Sequence, residues 1–195
     1  MRTVASSWNE IEAVLRENAN SVFRSLRKPA SATDVNRLAR TFGRKLPTDL
    51  LRSLANHDGL RDSYHGQVRL FNNWSLLPIK LMLDARKVCC EVQAMLGPEG
   101  VLPPGKSRAV KTDLRWRDGW LPFMDADGDM LFIDLDPGPD GRVGQVVKFY
   151  NSDRPRPVIA PSFRSWLSAL ADRLVAREFK LDEYGGIWFD DMALG

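Results

Sequence analysis

The stretch Trp116–Tyr150, WRDGWLPFMDADGDMLFIDLDPGPDGRVGQVVKFY, decides the fold class of this chain. It holds three segments rich in aromatic and β-branched residues, and turn-forming residues separate them at Asp127-Gly128 and at 138–141. Asp-Gly is a strong signal for a two-residue hairpin, because a type I′ turn requires positive φ at both central positions. The stretch therefore predicts three consecutive antiparallel strands.

Helical spacing of apolar residues predicts helices on both sides of this unit. Before it we expect three helices: one over 8–26 with Ser6 or Ser7 as N-cap, a short one from Ser31 to Gly43, and a third beginning at Leu46-Pro47. A strand is expected next at 66–71, followed by a loop over 98–115 with a short strand. Between that strand and that loop we expect a long amphipathic helix through Met82, Ala85, Val88, Cys89, Val92 and Leu96. After the three-stranded unit we expect a Pro-rich connection over 151–161 and a final helix capped by Ser162.

The predicted order of elements is ααα-β-α-βββ-α. This order is typical of an α+β fold with a mainly antiparallel sheet. No repeat or long linker divides the sequence, so a single domain is expected over residues 1–195. Its core is expected at 8–175, followed by an aromatic and acidic tail at 179–195.

Composition narrows the class of protein. The chain has 195 residues, of which 44% are hydrophobic and 27% charged, as in an ordinary soluble protein. No apolar run approaches the roughly 20 residues that span a bilayer, and the N-terminus lacks the apolar core of a signal peptide. We therefore predict a cytoplasmic protein without membrane insertion. A net charge of +3 with no basic stripe beside stacking aromatics argues against nucleic-acid binding.

The negative charge is concentrated in one segment. Residues 119–141 contain six aspartates and no lysine or arginine, although the whole chain carries +3. Opposed charged patches guide protein association. Trp116 lies between Arg115 and Arg117, and tryptophan and arginine are enriched at interface hot spots; a buried Trp116 with both arginines facing water is the alternative. The candidate partner-binding residues are Asp125, Asp127, Asp129, Arg115, Trp116 and Arg117.

Sites for metals, cofactors and catalysis are not predicted. Asp125, Asp127, Asp129 and Asp136 imitate positions 1, 3, 5 and 12 of a calcium loop, but Met130 stands where that loop needs glycine, so a solvated hairpin turn is favoured. His57 and His65 match no metal-ligand spacing and are expected to form loop hydrogen bonds. Adjacent Cys89 and Cys90 provide neither a zinc site nor a disulfide. Serine-nucleophile, P-loop and dinucleotide motifs are missing as well, so the sequence predicts a non-enzymatic protein.

A series of short motifs runs along the chain in a fixed order. They are Trp-x-x-Ile-Glu at 8–12, Pro-Ala-Ser-x-x-Asp at 29–34, Leu-Pro-x-Asp-Leu at 46–50 leading to His-Asp-Gly at 57–59, Trp-x-Leu-Leu-Pro at 74–78, Trp-Leu-Pro-Phe through Gly-Gln-Val at 120–146, and Ser-Phe-x-x-Trp-Leu at 162–167. In this order they resemble the SUKH superfamily, in the branch of fungal cell-wall assembly regulators and their bacterial relatives.

The resemblance implies an α+β fold without known catalytic residues. Bacterial members are thought to be immunity proteins that bind toxins, and fungal members are longer, with disordered flanks that this sequence lacks. The expected function is therefore that of a bacterial immunity protein that neutralises a cognate toxin; a regulatory or scaffolding adaptor in cell-envelope growth is the alternative. If the toxin is a nuclease, the acidic segment at 119–141 would have to mimic phosphate.

Overall fold

The computed structural model describes residues 2–61, 63, 68–100, 108–152, 155–191 and 193–195. Its helices are α1 (Val4–Asn18), α2 (Asn20–Ser25), α3 (Ala32–Phe42), α4 (Thr48–Leu54), α5 (Ile79–Leu96) and α6 (Phe163–Val175), with a 3₁₀ turn at Gly97–Gly100. Its strands are β1 (Ser75–Leu76), β2 (Trp120–Ala126), β3 (Asp129–Asp134), β4 (Gln145–Phe149), β5 (Val158–Ala160), β6 (Lys180–Leu181) and β7 (Ile187–Trp188). Within these residues, no helix combines the length and the apolar character needed to cross a membrane.

A five-stranded antiparallel sheet in the order β1-β2-β3-β4-β5 forms the centre of the fold. The predicted hairpin is confirmed: Ala126 pairs with Asp129, and the turn residues Asp127 and Gly128 have φ values of 54° and 99°. A bulge lies between Pro122 and Met124. The α+β class and the antiparallel sheet are therefore as the sequence predicts.

The two faces of the sheet are covered differently. One face carries Leu121, Phe123, Leu131, Ile133 and Val146 into the main core, which α1, α4 and α6 complete. The opposite face carries a smaller group that we call the aromatic cluster. Its members are Val110, Trp116, Trp120, Met130, Phe132, Val147 and Phe149. Because strand residues alternate between faces, β3 contributes to both layers in turn.

Capping residues set the ends of several helices. Ser31 caps α3 by accepting a hydrogen bond from the backbone N–H of Asp34, and Gly43 ends α3 in the left-handed conformation, as predicted. The predicted cap of the first helix is wrong: Thr3 is the N-cap, and Ser6 closes a reciprocal capping box from inside the helix. The expected continuous helix over 8–26 is also divided into α1 and α2 at Ala19, whose φ and ψ are −136° and 60°.

Two predictions about strands are corrected. Gly66 and Gln67 lie outside the described residues, and 68–71 form bends and a bridge; the first strand lies instead at Ser75–Leu76. The Pro-rich connection contains an edge strand, β5, which pairs with β4. Pro157 and Pro161 directly flank β5, whose three residues include no proline, so each residue of the strand keeps its N–H donor. Of the loop expected at 98–115, residues 101–107 lie outside the described part, and the predicted short strand is not among the strands of the rest.

The segment 179–195 packs on the main core through one face. Ile187, Phe189 and Leu194 are buried. The side chain of Asn72 donates to the carbonyl of Phe189 over 3.0 Å and accepts from its N–H over 2.8 Å. The backbone carbonyl of Leu194 accepts from the indole N–H of Trp166. Asn72, in the loop before β1, and Trp166 of α6 thus anchor this segment.

Candidate functional site

An open groove lies between α5, from Leu81 to Val92, and the aromatic cluster. Its volume is about 460 Å³, within the range of pockets that bind ligands. We call it the α5 groove. Helix α5 forms one wall, the aromatic cluster forms the other, and the Asp127-Gly128 turn lies at one end.

The α5 wall is apolar and extends beyond the groove as an exposed stripe. Leu81, Ala85 and Cys89 line the groove with Val88 and Val92. Val88 is 57% exposed, Val92 40% and Met95, one turn further on, 84%. Residues spaced by three and four lie on one face of a helix, so Val88, Val92 and Met95 form a continuous apolar ridge. The helix is placed as predicted, but part of its apolar face remains uncovered in the structure.

The opposite wall is built from packed aromatic rings. The Trp116 ring centroid lies 5.5 Å from that of Trp120 and 5.3 Å from that of Phe149, both edge to face, an arrangement that aromatic pairs prefer. Trp116 is only 2% exposed. Trp116 is therefore buried, as in the alternative, and not an exposed contact. Its neighbours Arg115 and Arg117 are half-buried and bonded within the chain, so they do not both face water as that alternative had it. Trp116 supports the groove from beneath.

The polar groups of the groove are mainly acidic. Asp84, Asp125 and Asp127 line it together with Arg115, the one cation among the described lining residues. Burial raises the pKa of Asp125, hydrogen bonds from the backbone of Gly128 and Asp127 lower it, and the neighbouring Asp127 and Asp129 carboxylates raise it further. The guanidinium of Arg115 donates to the Asn151 carbonyl over 2.6 Å and to its side-chain oxygen over 2.9 Å. The groove is thus apolar within and net negative at its rim.

The structure brings most of the predicted partner-binding residues to this groove. Asp125, Asp127, Arg115 and Trp116 line it. Asp129 lies beside it and accepts a hydrogen bond from the backbone N–H of Asn151. Arg117 does not join them, because its guanidinium bonds Asp113 over 2.7 Å and Asp136 over 3.4 Å. Sequence reasoning missed the contribution of α5, because the periodicity of a helix does not show what covers its apolar face.

The acidic segment at 119–141 does not present its full charge to solvent. Asp134 is completely buried, and burial raises its pKa, against hydrogen bonds from the Asp136 backbone and the Gln145 side chain. Asp136 is paired with Lys111, Arg44 and Arg117. Asp127 lies 3.7 Å from Arg69, and Asp140 lies 3.4 Å from Arg108. These pairs weaken the physical basis for phosphate mimicry by this segment.

The His57-Asp58-Gly59 motif positions the start of α5. The carboxylate of Asp58 accepts from the backbone N–H of Ile79, the first residue of α5, over 2.8 Å. His57 contacts the carbonyl of Arg27 at 2.8 Å and the carboxylate of Glu12 at 3.0 Å, which confirms its expected hydrogen-bonding role. His65 lies outside the described residues. The motif is a structural device that fixes one wall of the groove.

The two cysteines and the aspartates of the hairpin are the remaining candidates for nucleophilic or metal chemistry. Burial raises the pKa of the Cys89 thiol to about 12 and that of Cys90 to about 11, so both thiols stay protonated near neutral pH, and thiols are poor nucleophiles and metal ligands. Residues 129–134 are strand β3, which prevents the chain from wrapping around an ion as a calcium loop does. Across the described residues, no group of three acidic, histidine or cysteine side chains is placed to hold a metal.

The fold and the groove define a class of α+β protein with an open apolar groove on one side of its sheet. The sequence profile of the SMI1 / KNR4 family (SUKH-1) matches residues 29–169. Since the match covers more than half of the chain, this protein belongs to that family, which confirms the resemblance seen in the motifs.

Curated relatives come from fungi. The chain is 27% identical over 217 residues to a glucan synthesis regulatory protein of Neurospora crassa, and the match covers 92% of this chain and 40% of the relative. It is also 27% identical over 195 residues to the cell wall biosynthesis/cell cycle regulator smi1 of Schizosaccharomyces pombe, with 92% of this chain and 38% of the relative covered. The chain therefore spans well under half the length of these relatives. They favour the regulatory alternative and give no support to a bacterial origin or to toxin immunity.

Proposed function

We propose that this chain is a non-enzymatic regulatory module that binds another protein through the α5 groove. The observation that carries the proposal is the exposed apolar ridge of Val88, Val92 and Met95 beside an open groove. Apolar surface rimmed by polar residues is typical of interaction sites. The cytoplasmic location stays a prediction.

The regulatory part of the proposal comes from the relatives. The names of the Neurospora and Schizosaccharomyces proteins describe regulation of glucan synthesis and of cell-wall biosynthesis. We infer that this chain binds a component of a comparable system in its own cell. These relatives are more than twice as long as this chain, so the inference applies only to the region that they share with it.

Toxin immunity is the second candidate, because membership of the SUKH-1 family accommodates it. The compensated aspartates of the acidic segment argue against a nuclease as the target. A toxin of another kind would still bind at the groove. The identity of the bound protein separates the two functions.

A pull-down from the source cells with matched variants tests the proposal. Val88→Gln combined with Met95→Gln makes the ridge polar while keeping good helix formers. Val143→Gln combined with Val175→Gln is the control, because both valines are exposed and neither lines the groove. We expect the ridge variant to lose partners that the wild type and the control both retain, as identified by mass spectrometry.

The outcomes assign the function directly. A ridge-dependent partner from cell-wall or glucan synthesis supports the regulatory role, and a ridge-dependent toxin supports immunity. Equal capture by the ridge variant and the control would exclude the groove as the binding site. Free energies of unfolding within about 0.5 kcal/mol of wild type, as usual for surface changes, establish that both variants are folded.

A further inference from the structure

We propose that the α5 groove binds a short segment of another protein in which apolar anchor residues are flanked by lysine or arginine. This inference rests on the proposed function and specifies the chemistry of the partner. Two properties of the groove specify the partner: the size of its apolar surface (the apolar step) and the charge of its rim (the charge step).

The apolar step concerns the size of the ridge and of the groove beside it, which suits a short peptide segment. Val88 and Met95 are seven residues apart, so the ridge runs for about 10 Å along the helix axis at 1.5 Å per residue. The groove beside it holds about 460 Å³. A peptide segment with two or three large apolar side chains fits such a surface, whereas a flat protein face would leave the groove empty. A few buried anchors usually dominate the binding energy of such interfaces.

The charge step concerns the charged side chains at the rim of the groove. Asp84 is exposed and has no ion pair within the described residues. Asp127 is also exposed, at 3.7 Å from the guanidinium of Arg69. In the part of the chain that the structure describes, Arg115 is the only cation that lines the groove; it is held by Asn151 and lies 5.8 Å from the ring of Phe149. Asp84 and Asp125 thus line the groove without an ion pair among the described residues, and Asp127 is only partly compensated by Arg69, while the Arg115 guanidinium is engaged internally. Cationic side chains of a partner therefore complement the rim.

The same carboxylates discriminate against other surfaces. Nucleic acids and anionic lipid headgroups would bring negative charge against Asp84, Asp125 and Asp127, and like-charge contacts disfavour binding. An acidic peptide with the same apolar anchors would meet the same repulsion. Flanking charge is therefore the property that separates the proposed partner from its competitors.

A displayed library of random 16-residue peptides tests the inference. The library is selected on the wild-type chain and depleted on the Val88→Gln, Met95→Gln variant, so that only ridge-dependent sequences remain. We expect leucine, phenylalanine or tryptophan next to lysine or arginine in the enriched peptides. The most enriched peptide is then synthesised and its dissociation constant is measured by fluorescence anisotropy.

Carboxylate variants test the charge step with that peptide. Asp84→Asn and Asp127→Asn should each weaken binding about 2- to 5-fold at low salt, the range expected for exposed charge pairs. Both should also reduce the salt dependence of binding. Glu183→Gln is the control, because Glu183 is exposed and lies outside the groove; it should leave the dissociation constant unchanged.

Several outcomes would overturn the inference. Ridge-dependent peptides with acidic or uncharged flanks would contradict the charge step and leave the proposed function standing. A library without any ridge-dependent peptide would exclude a short segment as the occupant, and the pull-down would then decide the proposed function independently. Self-association seen by light scattering in the wild type and lost in the ridge variant would assign the groove to a second copy of the chain.

Discussion

Gly59 shows how one residue fixes a wall of the groove. Its φ is 71°, and a Cβ atom added to it would lie 2.3 Å from the backbone nitrogen of Pro78 and 2.5 Å from the carbonyl carbon of Leu77. Pro78 is the N-cap of α5. Only glycine allows this approach, so the His-Asp-Gly motif and the position of α5 depend on each other.

Replacing Gly59 by alanine should therefore destabilise the fold more than the same change at Gly43. Gly43 also has positive φ, at 56°, but open space surrounds its missing side chain. Gly43→Ala should cost about 1 kcal/mol of left-handed strain, and Gly59→Ala more than about 3 kcal/mol, because backbone atoms must also move. Urea unfolding of both variants measures the difference, and equal losses would contradict a close approach at Gly59.

At this scale, sequence reasoning succeeded where the chemistry is local. Ser31, Gly43 and the Asp127-Gly128 turn have the predicted roles because each depends on its immediate neighbours. Thr3 was missed because a capping box contains two hydroxyl residues, and either can be taken for the cap. The burial of Trp116 depends on rings from distant strands, which alternation alone does not reveal.

Among the elements, the β6–β7 hairpin has one buried and one exposed side. Phe189, directly after β7, lies 5.7 Å from the ring of Phe71, and the guanidinium of Arg173 lies 4.2 Å from the Phe189 ring. Tyr184, in the connecting turn, is 86% exposed. The contacts of Phe189, on the buried side, therefore hold the hairpin against the core.

Phe189→Ala should lower the free energy of unfolding by about 3–5 kcal/mol, the usual cost of deleting a buried phenylalanine ring. Tyr184→Ala removes an aromatic ring from the same hairpin and should change stability by no more than about 0.5 kcal/mol, as for other exposed positions. Chemical denaturation followed by tryptophan fluorescence measures both. A small loss for Phe189→Ala would show that the segment does not pack on the core in solution.

Prediction of elements from sequence worked best for long periodic segments. Helices α5 and α6 and strands β2 to β4 lie where the pattern places them. The short edge strand β5 was missed because the prolines on both sides of it are typical of a loop, whereas the three residues between them pair with β4. The break at Ala19 is likewise invisible in the apolar spacing, which continues from α1 into α2.

For the whole molecule, the groove arises from two layers of unequal size. The main core covers one sheet face, while the aromatic cluster covers the other face and contacts α5 through Ala85, Cys89 and Cys90 and through a hydrogen bond from the Trp116 backbone N–H to the Gln93 side chain. The outer residues of α5 therefore extend past the sheet. A single sequence shows that a helix has an apolar face, but only the assembled layers show that the described residues leave part of this face exposed.

A charge network connects distant parts of the chain around Asp136. The ammonium of Lys111 lies 2.7 Å from its carboxylate, Arg117 lies 3.4 Å away and Arg44, between α3 and α4, lies 3.7 Å away. Burial acts to raise the pKa of Asp136, but the hydrogen bond and charge of Lys111, together with Arg44 and Arg117, lower it below its ordinary value of 3.8. The folded state therefore favours the ionised carboxylate.

The stability of the fold should depend on this ionisation at acidic pH. Because the folded pKa is depressed, the contribution of Asp136 is fully present above the unfolded value of 3.8 and is lost as the pH falls through the folded value. Asp136→Asn should be less stable than wild type at pH 7 by about 1–3 kcal/mol, as expected for lost charged hydrogen bonds. The difference should shrink on acidification below the unfolded pKa, as measured by urea unfolding at a series of pH values. Asp140→Asn, which removes one exposed ion pair with Arg108, should follow the wild-type curve. A constant difference between wild type and Asp136→Asn at every pH would show that the network stabilises the fold through packing and not through the charge of Asp136.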